Sequence, residues 1–458
     1  MVALSPQVLM TLQTLQTQAA ALLLYQGVWH SPGGQAFLRV LATICATSAA
    51  SEPDRDCLVA YGQWFRTLAA TGESWPTYLM HQVLQDNNPF SQQAQRTPLT
   101  DLSPALVAAA RQDLEHLQAI AQLDLAALSQ WVQTRADLAS PPIVWSGGTH
   151  PAVASASDNP SILELALRFA STTIWSELVP ELAAHYRQQG VGVFARSAAL
   201  RWQGGQLVEV SHPDPVQVQD LVGYDWQQQA LLQNTEFLVR GYRALNVLLY
   251  GSRGSGKSSL VKSLLQAVGP GASQPFQQRG LRLIEVDKSD LQDLRAIVAQ
   301  LADVPQKFIL FVDDLSFEED ESAYKSLKVV LEGTLTARPP NVVVYATSNR
   351  RHLIREFLGD RPLPREADEV HAWDTVQEKL SFSDRFGLTL TFPPADQDTY
   401  LHIVQHLAQQ AGIGLAPAEL TDRALQWATR HNGRSGRTAR QFIDFLQAEL
   451  ALAQDHPS

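Results

Sequence analysis

LLYGSRGSGKSSL, residues 248–260, decides how the chain is read. Gly251, Gly256, Lys257 and Ser258 satisfy the phosphate-loop spacing, with an apolar strand before them and a helical pattern after them. Phosphates carry dense negative charge and need many backbone N–H donors at close range. Glycines at 251, 254 and 256 let the backbone bend round such a group without side-chain obstruction. Ser252, Arg253, Ser255 and Ser259 complete the loop as further nucleotide contacts. The helix that follows adds its positive N-terminal end. In this arrangement Lys257 is expected to reach the β- and γ-phosphates of a nucleotide, and the Ser258 hydroxyl to ligate Mg²⁺.

Outward from the loop, short apolar runs alternate with helical patterns. NVLLYG (246–251), LRLIEV (281–286), KFILFVDD (307–314), NVVVYATSN (341–349) and LTLTF (388–392) read as strands. Most are continuous rather than alternating, as strands buried on both faces are, so a parallel sheet covered by helices is expected. KFILFVDD ends in Asp313 and Asp314, which places two carboxylates at the C-terminal end of a buried strand, where open α/β sheets bind ligands. Asp313 is expected to hold Mg²⁺ through its water shell and Asp314 to polarise the attacking water. Asp314 is one methylene shorter than the glutamate usual in that role, so Glu318 and Glu319 are rivals for the base, while Asp320 and Glu321 read as a solvated acidic loop. At the end of NVVVYATSN, Asn349 or Ser348 is placed to hydrogen-bond the water and the γ-phosphate.

The rest of the chain bounds the answer. At 458 residues it exceeds the size of one usual core, so two or three domains are expected. Apolar residues at 45% and charged residues at 18% describe a folded protein, and a net charge of −11 disfavours a general nucleic-acid coat or a binder of anionic membranes. The two cysteines, Cys45 and Cys57, have no zinc-like spacing, and MVALSPQ lacks a basic start before an apolar stretch. AAALLLY is too short to span a bilayer. A cytoplasmic, unexported protein is expected.

Residues 1–200 read as a mostly helical N-terminal domain. Val8, Leu12, Leu15, Ala19 and Leu22 recur every three or four residues behind a Ser5–Pro6 start. Ser103–Pro104 opens a second such run, and Ser161 to Gln189 is a third, with a kink at Pro180 and a stop at Gly190. Residues 136–160 read as a long loop, and 201–219 as a linker or small hairpin about Gly204–Gly205. An α/β nucleotide-binding domain at 220–394 and a helical unit at 395–458 complete the division. No internal repeat is present.

From about Asp220 onward, LLYGSRGSGKSSLVK, LRLIEV, FILFVDDLSFE, VVVYATSNRRHLI, EKLSFSDRFGL and RSGRTARQFI together resemble the AAA+ ATPases. The stretch is most similar to a bacterial ATP-binding AAA+ family known only as a domain of unknown function. The resemblance implies a P-loop sheet domain with a C-terminal helical lid. It makes Val222, Gly223 and Tyr224 in DLVGY (220–224) contacts of the adenine. It also makes Arg385, in SFSDRFG, a finger projecting into the nucleotide site of a neighbouring subunit; the alternative is a structural arginine paired with Asp384. Arg437 matches the lid arginine that senses the γ-phosphate in its own chain, with Arg440 as the alternative and a basic surface stripe of Arg434, Arg437 and Arg440 as a third reading. Arg350 and Arg351 match family positions without an assigned role.

Three functions compete. The first is a Mg²⁺-dependent ATPase that couples hydrolysis to conformational change in a homo-oligomer acting on a protein or nucleic-acid partner. The second is a slowly hydrolysing ATP-binding regulator or scaffold, with the N-terminal helices as its interaction module. A small-molecule kinase would need an acceptor pocket and a catalytic lid near the loop, which the sequence does not display. GDRPLPREADEVHAWD (359–374), acidic and proline-bearing, is a candidate partner loop.

Overall fold

The computed structural model describes residues 4–46, 55–147, 160–214, 216–315, 321–332, 339–349, 385–431 and 433–455. The chain divides into two compact units, Met1–Arg196 and Ser197–Ser458. No helix among the described residues is long and apolar enough to cross a membrane.

The first unit is helical: α1 (Pro6–Ala20), α2 (Pro32–Cys45), α3 (Arg55–Thr71), α4 (Trp75–Gln85), α5 (Pro89–Ala94), α6 (Pro104–Ala121), α7 (Leu125–Ala136), α8 (Pro160–Ser171) and α9 (Val179–Gln189). Ser5, Ser31 and Asn88 cap α1, α2 and α5 with side-chain oxygens, each followed by a proline in the first turn, where the missing N–H has no intrahelical partner to lose. Ser103 makes no such side-chain bond; its carbonyl accepts from Leu106 and Val107 instead. The stripe in α1 is buried at Leu12, Leu15 and Ala19.

The run expected from 161 to 189 is two helices, not one kinked at Pro180. It breaks at 172–174, and Pro180 sits in the first turn of α9, a position that suits proline. Gly190 ends α9 at φ 86. Residues 140–147 of the expected loop are held by three side chains: Ser129 donates to the Pro142 carbonyl, Tyr61 to that of Ile143, and Trp145 to that of Glu73. Phe37, Trp64 and Trp75 form the aromatic centre, with ring centroids 4.5 to 6.1 Å apart.

The second unit holds a seven-stranded sheet of order β2-β1-β4-β5-β6-β3-β7. Its strands are β1 (Ala199–Gln203), β2 (Gln206–Glu209), β3 (Val247–Gly251), β4 (Leu281–Glu285), β5 (Lys307–Val312), β6 (Val342–Ser348) and β7 (Leu388–Phe392). The helices of the same unit are α10 (Asp225–Val239), α11 (Lys257–Ser263), α12 (Leu294–Leu301) and α13 (Glu321–Glu332), followed by α14 (Gln397–Gln410), α15 (Pro417–Arg430) and α16 (Gly436–Asp455). All pairings are parallel except β1 with β2. β5 and β6 are buried along almost their whole length, which is why their sequences are unbroken apolar runs. The hairpin about Gly204–Gly205 forms, but as the edge of the sheet rather than as a linker: Ala199 to Arg201 pair with Leu283 to Glu285 of β4. Asn246, just ahead of β3, accepts from Val344 through its side chain and from Leu388 through its carbonyl, and so ties β3 to its two neighbours, β6 and the edge strand β7.

Helices α14 to α16 form a separate small core around Tyr400, Val404, Leu407, Ala424, Phe442 and Leu446. The parallel strands all end on one edge of the sheet, and that edge carries the phosphate loop, Asp313 and Asn349.

In the first unit, two acids lie inside. Asp113, fully buried, accepts from the backbone N–H groups of Leu23, Leu24 and Tyr25. Asp86 lies against the backbone of Gly27, where a Cβ would meet its carboxylate, and accepts from Asn88 Nδ2 at 2.6 Å. Burial pushes the Asp86 carboxyl up to about 6, although the Asn88 hydrogen bond and His30 pull it back. An acid with a raised native pKa holds its proton more tightly folded than unfolded. Its contribution to stability is therefore fullest below the unfolded value of roughly 4 and is lost as the pH rises through about 6. Asp86→Asn keeps the shape without the charge. It is expected to raise the thermal midpoint of the helical unit at neutral pH and to flatten its pH dependence between about pH 4 and 7. Superimposable wild-type and variant profiles in a pH series of melts would refute this.

Candidate nucleotide-binding site

The phosphate loop is seamed to the end of β7. Ser252 N donates to the Phe392 carbonyl at 3.1 Å, and Gly251, at φ 145, passes so close that a Cβ there would meet the same carbonyl. On the other side the loop touches the start of α16: Arg437 N donates to the Gly254 carbonyl at 3.2 Å, and Gly254, at φ 77, has Ser435 where a side chain would go.

Lys257 opens α11 and is only 6% exposed. Its ammonium donates to the carbonyls of Gly251 (3.1 Å) and Ser252 (2.7 Å) and to Asn349 Oδ1 (3.3 Å). Burial lowers its pKa, Asp313 and Asp314 oppose that, and Arg437 adds to it. The next residue, Ser258, donates from Oγ to Asp313 Oδ1 at 2.6 Å.

Asp313 and Asp314 follow β5 directly. Asp313 Oδ1 also accepts from Thr347 Oγ1 at 2.5 Å and from Asp314 N at 3.0 Å. Asp314 is left-handed, at φ 49, which costs a non-glycine residue roughly 1–2 kcal/mol, least for Asp and Asn. Its Oδ1 accepts from Asn349 Nδ2 at 2.6 Å. Asn349 therefore touches Lys257 with one end of its amide and Asp314 with the other. Of the two residues expected at the end of β6, Asn349 lines the cavity and Ser348 does not. Glu318 and Glu319 lie outside the described residues, as do Arg350, Arg351, Asp384 and the 359–374 segment.

A cavity of about 800 Å³ joins these groups to the lid. Arg253, Gly254, Ser255, Gly256, Lys257, Ser258 and Ser259 line one end with Asp313, Asp314, Thr347 and Asn349. Val216, Leu221, Val222 and Tyr224, with Ile403 and Leu407 of α14, supply its apolar lining. Gly223, at φ 92, is not among the lining residues; it allows close passage of α14, since a Cβ would sit 2.8 Å from Thr399 Cγ2. The Tyr224 hydroxyl donates to the Pro393 carbonyl at 2.9 Å, its ring lies 5.0 Å from that of Phe392, and burial raises its pKa. Arg437 and Arg440 both line the cavity, whereas Arg434 donates to Gln397 Oε1.

Arg385 is not at this cavity. It lies just before β7, on the N-terminal side of the sheet, next to Gly387, which packs against Leu245 ahead of β3. Sequence reasoning missed Thr347, Ile403 and Leu407. Thr347 is an ordinary strand residue in β6, and Ile403 and Leu407 are spaced like any pair of core residues on a helix.

The phosphate loop after β3, the acid pair after β5, the polar residues at the end of β6 between those strands and the helical lid beside the cavity define a P-loop fold of the AAA+ type, preceded by a mostly helical region. The chain belongs to the family described as protein of unknown function (DUF815), whose profile matches residues 195–450. Among curated proteins none matches. Among solved structures, a point-substituted form of RuvB from Thermotoga maritima is similar at 15% identity, over 51% of this chain and 72% of that one, with a TM-score of 0.32. A second, described as the Thermotoga maritima RuvB Holliday junction branch migration motor, is similar at 14% identity over the same shares, with a TM-score of 0.32.

Lys257→Ala is expected to abolish nucleotide binding and leave the helical unit folded, because it removes a local charge and no core packing. Titration with ATP, alongside far-UV circular dichroism, checks this. Undiminished affinity would remove the phosphate-loop assignment.

Proposed function

We propose that the chain binds ATP with Mg²⁺ in this cavity, hydrolyses it, and works as a homo-oligomer whose conformational change acts on a protein or nucleic-acid partner. One convergence supports the reading: Lys257 and Ser258 from the loop, Asp313 and Asp314 from β5, and Asn349 from β6 meet in a single hydrogen-bonded cluster at the C-terminal edge of the sheet.

The donor set suits the proposed ligands. Ser258 and Asp313 are hard oxygen donors, few in number, as Mg²⁺ sites are when phosphates and water supply the rest. Bound there, Mg²⁺ would draw charge from the phosphate oxygens. Residues 253–259 would cradle the phosphates, Lys257 and Arg437 would neutralise them, and Val222 and Tyr224 would meet the adenine. Asn349 would orient a water. Asp314 would take that water's proton as its oxygen attacks the γ-phosphorus and the bond to the bridging oxygen breaks, releasing ADP and phosphate. Glu318 is the rival for this base.

Arg385 fits a role in a neighbouring copy better than one in its own. The four steps of β7 span about 13 Å, and Arg385 lies beyond their far end from the phosphate loop, whose Gly251 is registered against Phe392. An arginine supplied in trans stabilises charge on the transferring phosphoryl and is worth roughly 10³ to 10⁵ in rate.

A second reading, slow hydrolysis by a regulator or scaffold, is favoured by the short Asp314 carboxylate and its bond to Asn349. Turnover measured against nucleotide retention separates the two.

Asp313→Ala is expected to cost the Mg²⁺-dependent activity, and Asp314→Asn to spare ATP binding while stopping hydrolysis. If Glu318→Gln stops hydrolysis and Asp314→Asn does not, the base is Glu318. Arg385→Ala should bind ATP normally and hydrolyse none, and mixing it with Lys257→Ala should restore some activity as protein concentration rises, since a mixed interface can pair an intact loop with an intact arginine. Mixtures that co-assemble by light scattering yet stay inactive would place Arg385 in a structural role within its own chain.

A further inference from the structure

We infer that Thr347 is a positioning residue of this site, its hydroxyl orienting Asp313 and holding the turn at Asp314; the inference rests on the Mg²⁺–nucleotide reading above. Neighbouring residues of an extended strand point to opposite faces, so Asp313 and Asp314 reach one cavity only because the backbone turns between them. The turn is the left-handed Asp314.

Thr347 stands beside it because Val312, the last residue of β5, is paired with Ala346, and Asp313 and Thr347 follow that pair. The hydroxyl serves both acids. It donates to Asp313 Oδ1 at 2.5 Å and accepts from Asp314 N at 2.9 Å, one donor and one lone pair used on adjacent residues. The Thr347 carbonyl then accepts from Leu315 N at 2.7 Å, so the chain is fastened to Thr347 on both sides of Asp314. Thr347 is 2% exposed, and little water competes for these bonds.

Asp313 and Ser258 are already in contact, at 2.6 Å. An Asp313 that loses the Thr347 hydroxyl keeps Ser258 but loses a constraint on its carboxylate plane. The Asp314 N–H then keeps only the Asp313 carboxylate, 3.0 Å away, as an acceptor. Groups that orient a metal-binding carboxylate from behind govern metal affinity more than nucleotide contact. The phosphate loop takes nothing from Thr347, so nucleotide affinity without metal should not need it.

The full chain is to be compared as wild type, Thr347→Val, which keeps the shape and suits a strand, and Thr347→Ser, which keeps the hydroxyl. Three quantities are read: ATP affinity in EDTA, Mn²⁺ affinity in the presence of ADP by electron paramagnetic resonance, and the Mg²⁺ concentration for half-maximal hydrolysis. In Thr347→Val the metal-free ATP affinity should stay within about twofold, while Mn²⁺ affinity falls and the Mg²⁺ requirement rises by about 10- to 100-fold. Thr347→Ser should restore both to near wild type. Should the valine variant not fold, Thr347→Ala is read in the same way. Wild-type metal affinity and Mg²⁺ requirement in Thr347→Val, or a serine variant as impaired as the valine one, would overturn the inference. A wild-type chain that binds no nucleotide with Mg²⁺ would instead overturn the reading beneath it, and the inference with it.

Discussion

One carboxylate oxygen, Asp313 Oδ1, is the point on which the α/β unit is organised. It accepts from Ser258 at the start of α11, from Thr347 on β6 and from the backbone of Asp314, so the helix behind the phosphate loop and two central strands share one acceptor. Hydrogen bonds to a charged acceptor are worth more than neutral ones, about 1.5–3 kcal/mol each, and leaving such a group buried without them costs more. The buried Lys257 ammonium answers that negative charge from the far side of the cluster, through Asn349 and Asp314. The loop, the acid pair and the end of β6 are therefore one electrostatic object. Displacing any of them unbalances the charge of the others.

Much of this arrangement was readable in advance because its signals are local. The phosphate loop is a contiguous string whose glycines and lysine must keep fixed spacing, and Asp313 and Asp314 announce themselves as charges ending an apolar run. Thr347 was not readable in the same way. A threonine in a strand is ordinary, and its importance depends on the left-handed turn at Asp314, which an aspartate tolerates without advertising. Ile403 and Leu407 line the cavity, yet their spacing is that of helix residues facing any core.

Nonlocal pairing explains the remaining differences. The hairpin about Gly204–Gly205 was legible as a hairpin, but its partner strand β4 begins at Leu281, and no short-range signal announces that pairing. The break within 161–189 went to residues 172–174 rather than Pro180 because a proline in a first turn disturbs nothing, so the strongest local breaker was the wrong place to look. The hairpin also ends the sheet with a short, largely exposed strand rather than with the apolar β4, which leaves little edge for another chain to extend.

The contact between Arg437 N and the Gly254 carbonyl joins the first turn of the lid's last helix to the tip of the phosphate loop. Taken by itself such a backbone bond contributes roughly 1 kcal/mol net, less than twice thermal energy. The bond is one of several ties at that point: Ser435 lies where a Gly254 side chain would go, and Arg437 and Arg440 of α16 line the cavity beside Lys257. A side chain at Gly254 would press on the start of α16 as well as on the loop, so the glycine that suits the loop also sets how near the lid's last helix can lie.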